Sequence, residues 1–301
     1  MLLRALACTF TFIFLAPFAV KAQQSPPTTT DRSASAPLDI RDRNLYVDQE
    51  QSPRSFVKKF STNALLDQKQ IWASPFHINR SSAKWWLLAA GGTAALIAAD
   101  HPISQALPRT GTSVIFGNSF SRAGQWYSVY PFAGVLFATG WATHDDKLRE
   151  TGALGLQSLV GAGIVTTILK VVARRERPQN GDGGGHFEKG GGSFPSGHST
   201  EAWAIASVVA SEYGNHRWVP VVSYAYASAV SLSRVLAQQH FSSDVFVGGA
   251  LGFFIGKFVV STEQTHAGHL KHFQRKALMP AIEPGFGPGN KTVSLVWNFE
   301  H

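Results

Sequence analysis

Apolar residues gather into six blocks along the middle of the chain: Trp85–Ala99, Tyr127–Ala142, Gly152–Leu169, Ala202–Ala210, Trp218–Leu232 and Val245–Val260. None of the blocks has a charged face. A helix that is apolar all round sits inside a large core or in a bilayer, so the pattern predicts an all-α bundle of six helices. Ahead of the blocks, residues 54 to 72 set Phe56, Phe60, Leu65 and Trp72 against Lys58, Lys59 and Lys69. That periodicity predicts an amphipathic helix whose apolar face packs on the core, a helix lying on a membrane surface being the alternative. Behind the blocks comes a basic stretch with His266, His269 and His272, whose three-residue spacing fits a solvated tail better than a metal site. Thr292 to Phe299 reads as a short strand. No internal repeat is present.

The polar segments divide the chain further. Arg4, the apolar run Ala5 to Val20 and the sequence Val20-Lys21-Ala22 before Gln23 predict a secretory signal cleaved after Ala22. Residues 23–53, rich in Ser, Thr, Pro and Asp, read as a disordered linker. The expected plan is therefore a signal peptide at 1–22, the linker at 23–53, the amphipathic segment at 54–82, the helical core at 83–262, and a basic tail with a short strand at 263–301. Cys8 is the only cysteine, and it precedes most of the apolar run instead of ending it, which argues against lipidation. A mature chain without cysteine has no disulfide and must be held by packing or by lipid. The net charge is +8, and loss of Arg4 and Lys21 leaves 25 basic against 19 acidic residues. No helix-turn-helix, zinc or RNA-binding pattern accompanies this excess, so it points to anionic lipid or phosphate and not to nucleic acid.

Three short motifs border the blocks. Lys170 and Arg177-Pro178 follow the third block; seven residues are about two helical turns, so both cations can lean to one face if the helix persists. Pro195-Ser196-Gly197-His198 opens the fourth block, where a helix start would aim free N–H groups ahead of it and Gly197 would admit a ligand to the main chain. Ser196 could equally be an N-cap, and His198 a turn histidine. Ser233-Arg234, His240 and Asp244 lead into the sixth block, His240 and Asp244 standing at i and i+4 on one helical face. Taken singly, each motif has an ordinary structural explanation. The glycine-rich segment Gly181 to Ser193 lacks the Gly-Lys-Ser/Thr ending of a nucleotide loop and reads as a flexible connection able to move over a substrate. His186 and Lys189 within it are expected to be solvated, and Arg174 and Arg175 before it to meet solvent or a headgroup.

Together and in this order, the motifs resemble those of the type 2 phosphatidic acid phosphatase (PAP2) and vanadium haloperoxidase superfamily, over roughly residues 83 to 262. The resemblance implies a six-helix bundle and a metal-independent phosphatase with no cofactor. It assigns Lys170, Arg177, Ser196, Gly197 and Arg234 to the phosphate, and His240 to nucleophilic attack through a phosphohistidine. Asp244 would orient His240, and His198 would protonate the leaving group. The expected partners are a phosphorylated lipid or small phosphate ester and a membrane. Alternatives are a soluble periplasmic acid phosphatase, a haloperoxidase and a non-catalytic phospholipid-binding protein. Topology rules conflict: six spans after a cleaved signal would turn the motif end inward. Lys58, Lys59, Lys84, Lys147, Arg149, Arg217, Lys257 and Lys271 nevertheless cluster at the opposite end, which the positive-inside rule places inside. The blocks are also short for spanning helices. The apolarity of Gly152–Leu169 and Val245–Val260 favours an inner-membrane protein with a periplasmic catalytic face. Headgroup selectivity is expected in the loops His101–Gln125 and Gly181–Ser193.

Overall fold

The computed structural model describes residues 40–41, 45–46, 53–76, 80–180, 183–278, 281–287 and 290–296. The expected signal peptide and most of the expected linker lie outside these residues, as do Gly181 and Asp182. Eight α-helices follow in order: α1 (Pro53–Ala73), α2 (Arg80–Ala106), α3 (Thr112–Ser121), α4 (Trp126–Thr143), α5 (Asp146–Ala173), α6 (Gly197–Glu212), α7 (Trp218–Leu236) and α8 (Ser242–Leu278). The six apolar blocks fall within α2, α4, α5, α6, α7 and α8, and the amphipathic segment is α1. The all-α class stands. Chain contacts define two compact units. One comprises Tyr46–Val260; the other holds Ser261–His301 with Ala22–Leu45. In the second unit an antiparallel hairpin pairs β1 (Ala281–Gly287) with β2 (Asn290–Val296), Ala281 facing Val296 and Gly287 facing Asn290.

Two expectations about element boundaries are corrected. Helix α3 falls inside what reads as the loop His101–Gln125; its ten residues are too few to show a helical period, and it is held by packing. A Cβ on its Gly117 would lie 2.8 Å from the backbone oxygen of Ser233 and the nitrogen of Ala237, so α3 lies directly on the end of α7. Helix α8 also runs on to Leu278, carrying into a helix the basic stretch expected as a tail.

Helix α5 is the spine of the first unit. Asp145 caps its N-terminus by accepting from the Leu148 N–H at 2.9 Å. Its Ala153, Leu154, Ala162 and Val165 join Ala204 and Val208 of α6 and Ile255, Val259 and Val260 of α8 in the largest core cluster. Phe56 and Phe60 of the expected apolar face of α1 pack against that cluster, joined by Ile71, whereas Leu65 and Trp72 of that face are exposed. The polar side of the contact is also satisfied: Tyr46 donates to Gln157 Oε1 at 2.5 Å, and Gln157 donates in turn to Asp67 of α1.

Small residues bring α6 and α8 unusually close. Gly248, Gly252 and Gly256 recur at four-residue spacing on α8, and a Cβ on each would strike the carbonyl oxygens of Ser196, Thr200 and Ala204 at 2.6, 2.0 and 2.4 Å. This matched stripe is small-residue helix packing. It fixes the register that sets Asp244, one turn before Gly248, beside Ser196. The Ser196 N–H accordingly donates to the Asp244 carbonyl at 3.0 Å. Gly252→Val is therefore expected to cost at least about 1–3 kcal/mol of stability through overpacking. Gly134→Ala on α4, where a Cβ meets nothing within 4 Å, should be neutral or stabilising by up to about 1 kcal/mol. Thermal unfolding of the two purified variants checks both signs.

Among the described residues, three helices are long and apolar enough to cross a membrane: α5, α7 and the part Ser242–Gly268 of α8. Large apolar side chains project outward from them, including Ile164, Ile168, Val171 and Val172 of α5, and Trp218, Val221 and Val222 of α7.

Candidate active site

All eight residues singled out by the motifs lie at one end of four helices. Lys170 is in the last turn of α5 and Arg234 in the last turn of α7. Gly197 and His198 begin α6 behind the N-cap Ser196, and Asp244 is in the first turn of α8. His240 is in the short connection between α7 and α8. Arg177 follows α5 in the connection to α6.

Helix α5 does not persist to Arg177. It stops at Ala173, with Arg174 in the left-handed conformation at φ 45°. The strand of backbone after it is recruited by the glycine-rich segment. Glu188 N–H donates to Ala173 O, Lys189 and Gly191 N–H to Arg174 O, Ser193 N–H to Arg175 O, and Glu176 N–H to His186 O. Lys170 and Arg177 therefore do not share a helical face. The lysine Nζ donates to Gly192 O at 2.5 Å, and Arg177 Nη1 donates to Gln239 Oε1 at 2.8 Å. The same bonds show that residues 183–193 are not a loose connection. Gly185, at φ 67°, packs so closely on Phe241 that a Cβ would sit 2.4 Å from the ring, which only glycine permits.

Three buried polar atoms here have no hydrogen-bond partner among the described residues: Ser196 Oγ, His198 Nε2 and Arg234 Nε. Ser196 makes no side-chain cap bond, so its hydroxyl is not spent on α6. A Cβ on Gly197 would make only ordinary contacts, with Thr166 Cγ2 at 3.8 Å and Lys170 Cε at 3.9 Å. Arg234 is held from one side only, its Nη1 donating to Ser121 Oγ of α3 at 2.9 Å.

His240 is buried and His198 half-buried, and burial with the neighbouring cations holds both imidazoles neutral. Burial pushes the His198 imidazole down to about 3, and the neighbouring Arg234, His240, Lys170 and Arg177 push the same way. Burial also takes His240 down to about 4; Asp244 opposes this, while Lys170 and Arg234 add to it. The tautomer of His240 follows from its contacts. Nδ1 lies 2.7 Å from the Ser193 carbonyl, to which it donates its hydrogen, leaving Nε2 unprotonated.

Asp244 does not hold the ring directly as its spacing suggests. Its Oδ2 is 3.6 Å from His240 Nδ1, beyond hydrogen-bond length. Its oxygens are engaged elsewhere: Oδ2 accepts from Ser193 Oγ at 2.5 Å and Phe241 N–H at 2.9 Å, and Oδ1 accepts from Arg175 at 2.7 Å. Ser193 thus bridges the pair, its carbonyl on the ring and its hydroxyl on the carboxylate. Nothing in the motif spacing marks Ser193.

Arg175 overturns a second expectation. Placed by the sequence at a surface, it is 1% exposed and among the largest fully buried side chains in the described residues. Arg174, beside it, is exposed as expected. The backbone turn at Arg174 reverses the facing of its neighbour, and helical extrapolation from Lys170 cannot anticipate it.

Residues 153–267 match the sequence model of the PAP2 superfamily. A curated relative, lipid A 1-phosphatase of Porphyromonas gingivalis, is 27% identical over 115 residues, which is 36% of this chain and 26% of the relative. The chain thus spans about a quarter of that protein's length. Two solved structures overlay partly. The transmembrane PAP2-type phosphatidylglycerolphosphate phosphatase from Bacillus subtilis gives a TM-score of 0.44 at 20% identity, covering 68% of this chain and 96% of that one. LpxE of Aquifex aeolicus gives 0.39 at 21% identity, covering 57% of this chain and 94% of that one.

Proposed function

We propose that the chain is a metal-independent phosphatase of the membrane, hydrolysing a phosphomonoester or pyrophosphate carried on a lipid through a phosphohistidine on His240. The observation that carries this reading is the convergence of partnerless donors and fixed cations on one neutral imidazole. A tetrahedral phosphate offers three oxygens to bind. Ser196 Oγ, Arg234 Nε and the free N–H groups at the start of α6 supply donors, and Lys170 and Arg177 supply charge. In the transition state those oxygens carry spread negative charge, so preorganised cations act where charge develops.

In this reading His240 Nε2 attacks phosphorus because Nδ1–H is fixed on Ser193 O, and Asp244 stabilises the imidazolium that forms. The P–O bond to the leaving alcohol breaks as the P–N bond forms, and His198 gives that oxygen a proton. Water then attacks phosphorus in line with the P–N bond, giving a proton to the now neutral His198, and breakage of the P–N bond returns His240 to its neutral state. Gly197, which has no side chain, lets the phosphate approach the backbone closely.

Lipid as the carrier is supported by the relative's activity on lipid A, by the three apolar helices and by their outward-facing Ile, Val and Trp side chains. The bias of basic residues to the opposite end of the bundle favours a periplasmic active end.

Phosphate release from phosphatidic acid, lipid A, an isoprenoid pyrophosphate and an aryl phosphate, each with excess chelator, tests the reading. Turnover of at least one lipid substrate at an undiminished rate is the expected result. Complete loss on chelation overturns the metal-free mechanism, and activity confined to the soluble aryl ester points to a general acid phosphatase.

A further inference from the structure

Arg175 and Asp100 are the most fully engaged buried charges near His240, and the chemistry above leaves both without a task. The Arg175 guanidinium lies between the rings of Phe187 and Phe241, 4.8 and 4.3 Å from their centres. Its Nη2 donates to Asp100 Oδ2 at 2.8 Å and its Nη1 to Asp244 Oδ1 at 2.7 Å, both carboxylates being as buried as the arginine. Nη1 also reaches Ser243 Oγ at 2.7 Å, and Nε donates to Gly185 O at 2.9 Å. Asp100, near the end of α2, accepts the Ser243 N–H at 3.0 Å and the Ser243 hydroxyl as well. Four contacts thus fix one guanidinium against α2, the start of α8 and the glycine-rich segment.

A buried ion cluster is a poor way to gain stability, because desolvation offsets most of the attraction and apolar residues of like size often do as well. What this cluster does achieve is geometric and electrostatic. It clamps Asp244 by one oxygen and leaves the other for Ser193 Oγ. Ser193 N–H is in turn bound by the Arg175 carbonyl at 2.9 Å, so side chain and backbone of the same arginine fix both ends of the relay to the ring.

We infer that Arg175 and Asp100 are a positioning pair that holds Asp244 and Ser193 in place and thereby sets the orientation and the charge of the His240 ring. The inference rests on the nucleophilic role proposed for His240. It also gives α2, which precedes the family-matched segment, a direct part in the active site.

The pair makes predictions of opposite sign. The charged and titratable groups facing His240 are Lys170 on α5, Arg234 on α7, His198 on α6 and Asp244 on α8, with Arg175 and Asp100 behind Asp244. Burial pushes the Asp100 carboxyl up, while the bonds from Ser243 and Arg175 oppose this and favour its ionised form; with Asp244 ionised as well, the cluster around the one arginine is net negative. Asp100→Asn removes one negative charge, disfavours the imidazolium and moves the His240 titration to lower pH. Arg175→Gln removes the positive charge and moves it to higher pH. The double variant should lie between them. At these separations each single shift should be about one pH unit.

The test uses the full chain in detergent with 15N-labelled histidine, His240 being assigned from its missing signal in His240→Ala. Its titration is followed by NMR in the three variants, beside pH profiles of kcat/KM on the best substrate. The expected result is opposite displacement of both the NMR titration and the acidic limb. A loss of kcat of about tenfold to a hundredfold should accompany it with KM little changed, because misplacement of a reacting group acts on the chemical step. Should Arg175→Gln fail to fold, Asp100→Asn, which keeps the side-chain shape, still must shift His240 downward. Unchanged His240 titration in folded Asp100→Asn, or shifts of the same sign in both single variants, overturns the positioning role. If His240→Ala keeps its turnover, the phosphohistidine reading falls instead, and the NMR arm still decides whether the pair sets the ring.

Discussion

His240→Ala is expected to abolish turnover on every phosphate ester, lipid or soluble. In the proposed reaction the imidazole provides the only covalent acceptor for phosphorus, and the cations around it cannot form that bond. Nucleophile removal in comparable covalent enzymes costs on the order of 10⁶-fold, leaving only the contribution of binding and charge stabilisation. The alternative, direct attack by water on a phosphate held by Lys170, Arg177 and Arg234, predicts a much smaller loss. Rapid quench with a 32P-labelled substrate separates the two. Wild type should yield an acid-labile, base-stable phosphoenzyme that is absent from His240→Ala. Binding should survive: an inert oxyanion should still protect the variant against thermal unfolding, because the phosphate donors remain. A folded His240→Ala that hydrolyses any of the panel at a rate near wild type overturns the role.

Six apolar blocks were enough to predict the bundle because helix existence is a local property of a long uniform segment. Each block is found inside a helix, and α1 packs its Phe56 and Phe60 where the amphipathic period puts them. What local pattern misses depends on distant partners. The ten residues of α3 are helical because Gly117 can lie on the backbone of Ser233 and Ala237, more than a hundred positions away. Helix α5 stops four residues short of Arg177 because the segment 186–193 binds the backbone of 173–176. A helical wheel drawn from Lys170 cannot contain that information.

The same division runs through the candidate site. The motif residues gather at one end because each flanks a block, so their meeting was legible once the blocks were read as helices. The way His240 and Asp244 are connected was not. The i, i+4 spacing suggests a direct bond, whereas the ring goes to Ser193 O and the carboxylate to Arg175, Ser193 and Phe241. Arg175 carries no spacing signal at all, since its partner Asp100 lies 75 residues earlier. The one available hint was the presence of a single acidic residue, Asp100, at the end of an otherwise apolar block, a placement that requires a partner when buried.

His198→Ala is expected to show a defect that depends on the leaving group. In the free site His198 titrates at about 3, because burial and the charges of Arg234, Lys170 and Arg177 exclude a further proton. A general acid must carry one. A bound dianion resolves the conflict: its negative charge cancels the repulsion from the three cations, raises the His198 pKa and draws in a proton. The sign is therefore uptake on binding, opposite to the release expected if His198 were protonated beforehand and displaced. Tungstate, a dianion across the neutral range, provides the probe. Calorimetry near pH 6.5 in buffers of different ionisation enthalpy should report uptake of up to about one proton, given an imidazole's ordinary pKa of about 6.5. The uptake should disappear in His198→Ala. Catalysis should follow the same logic, since an aryl oxide of low pKa departs without help and a lipid alkoxide does not. The loss in His198→Ala relative to wild type should shrink by about one to three orders of magnitude from an alkyl phosphate to nitrophenyl phosphate, the usual worth of general acid catalysis. Equal losses on both substrates, together with unchanged proton uptake, would assign the leaving-group proton to another residue and leave His198 as a phosphate ligand.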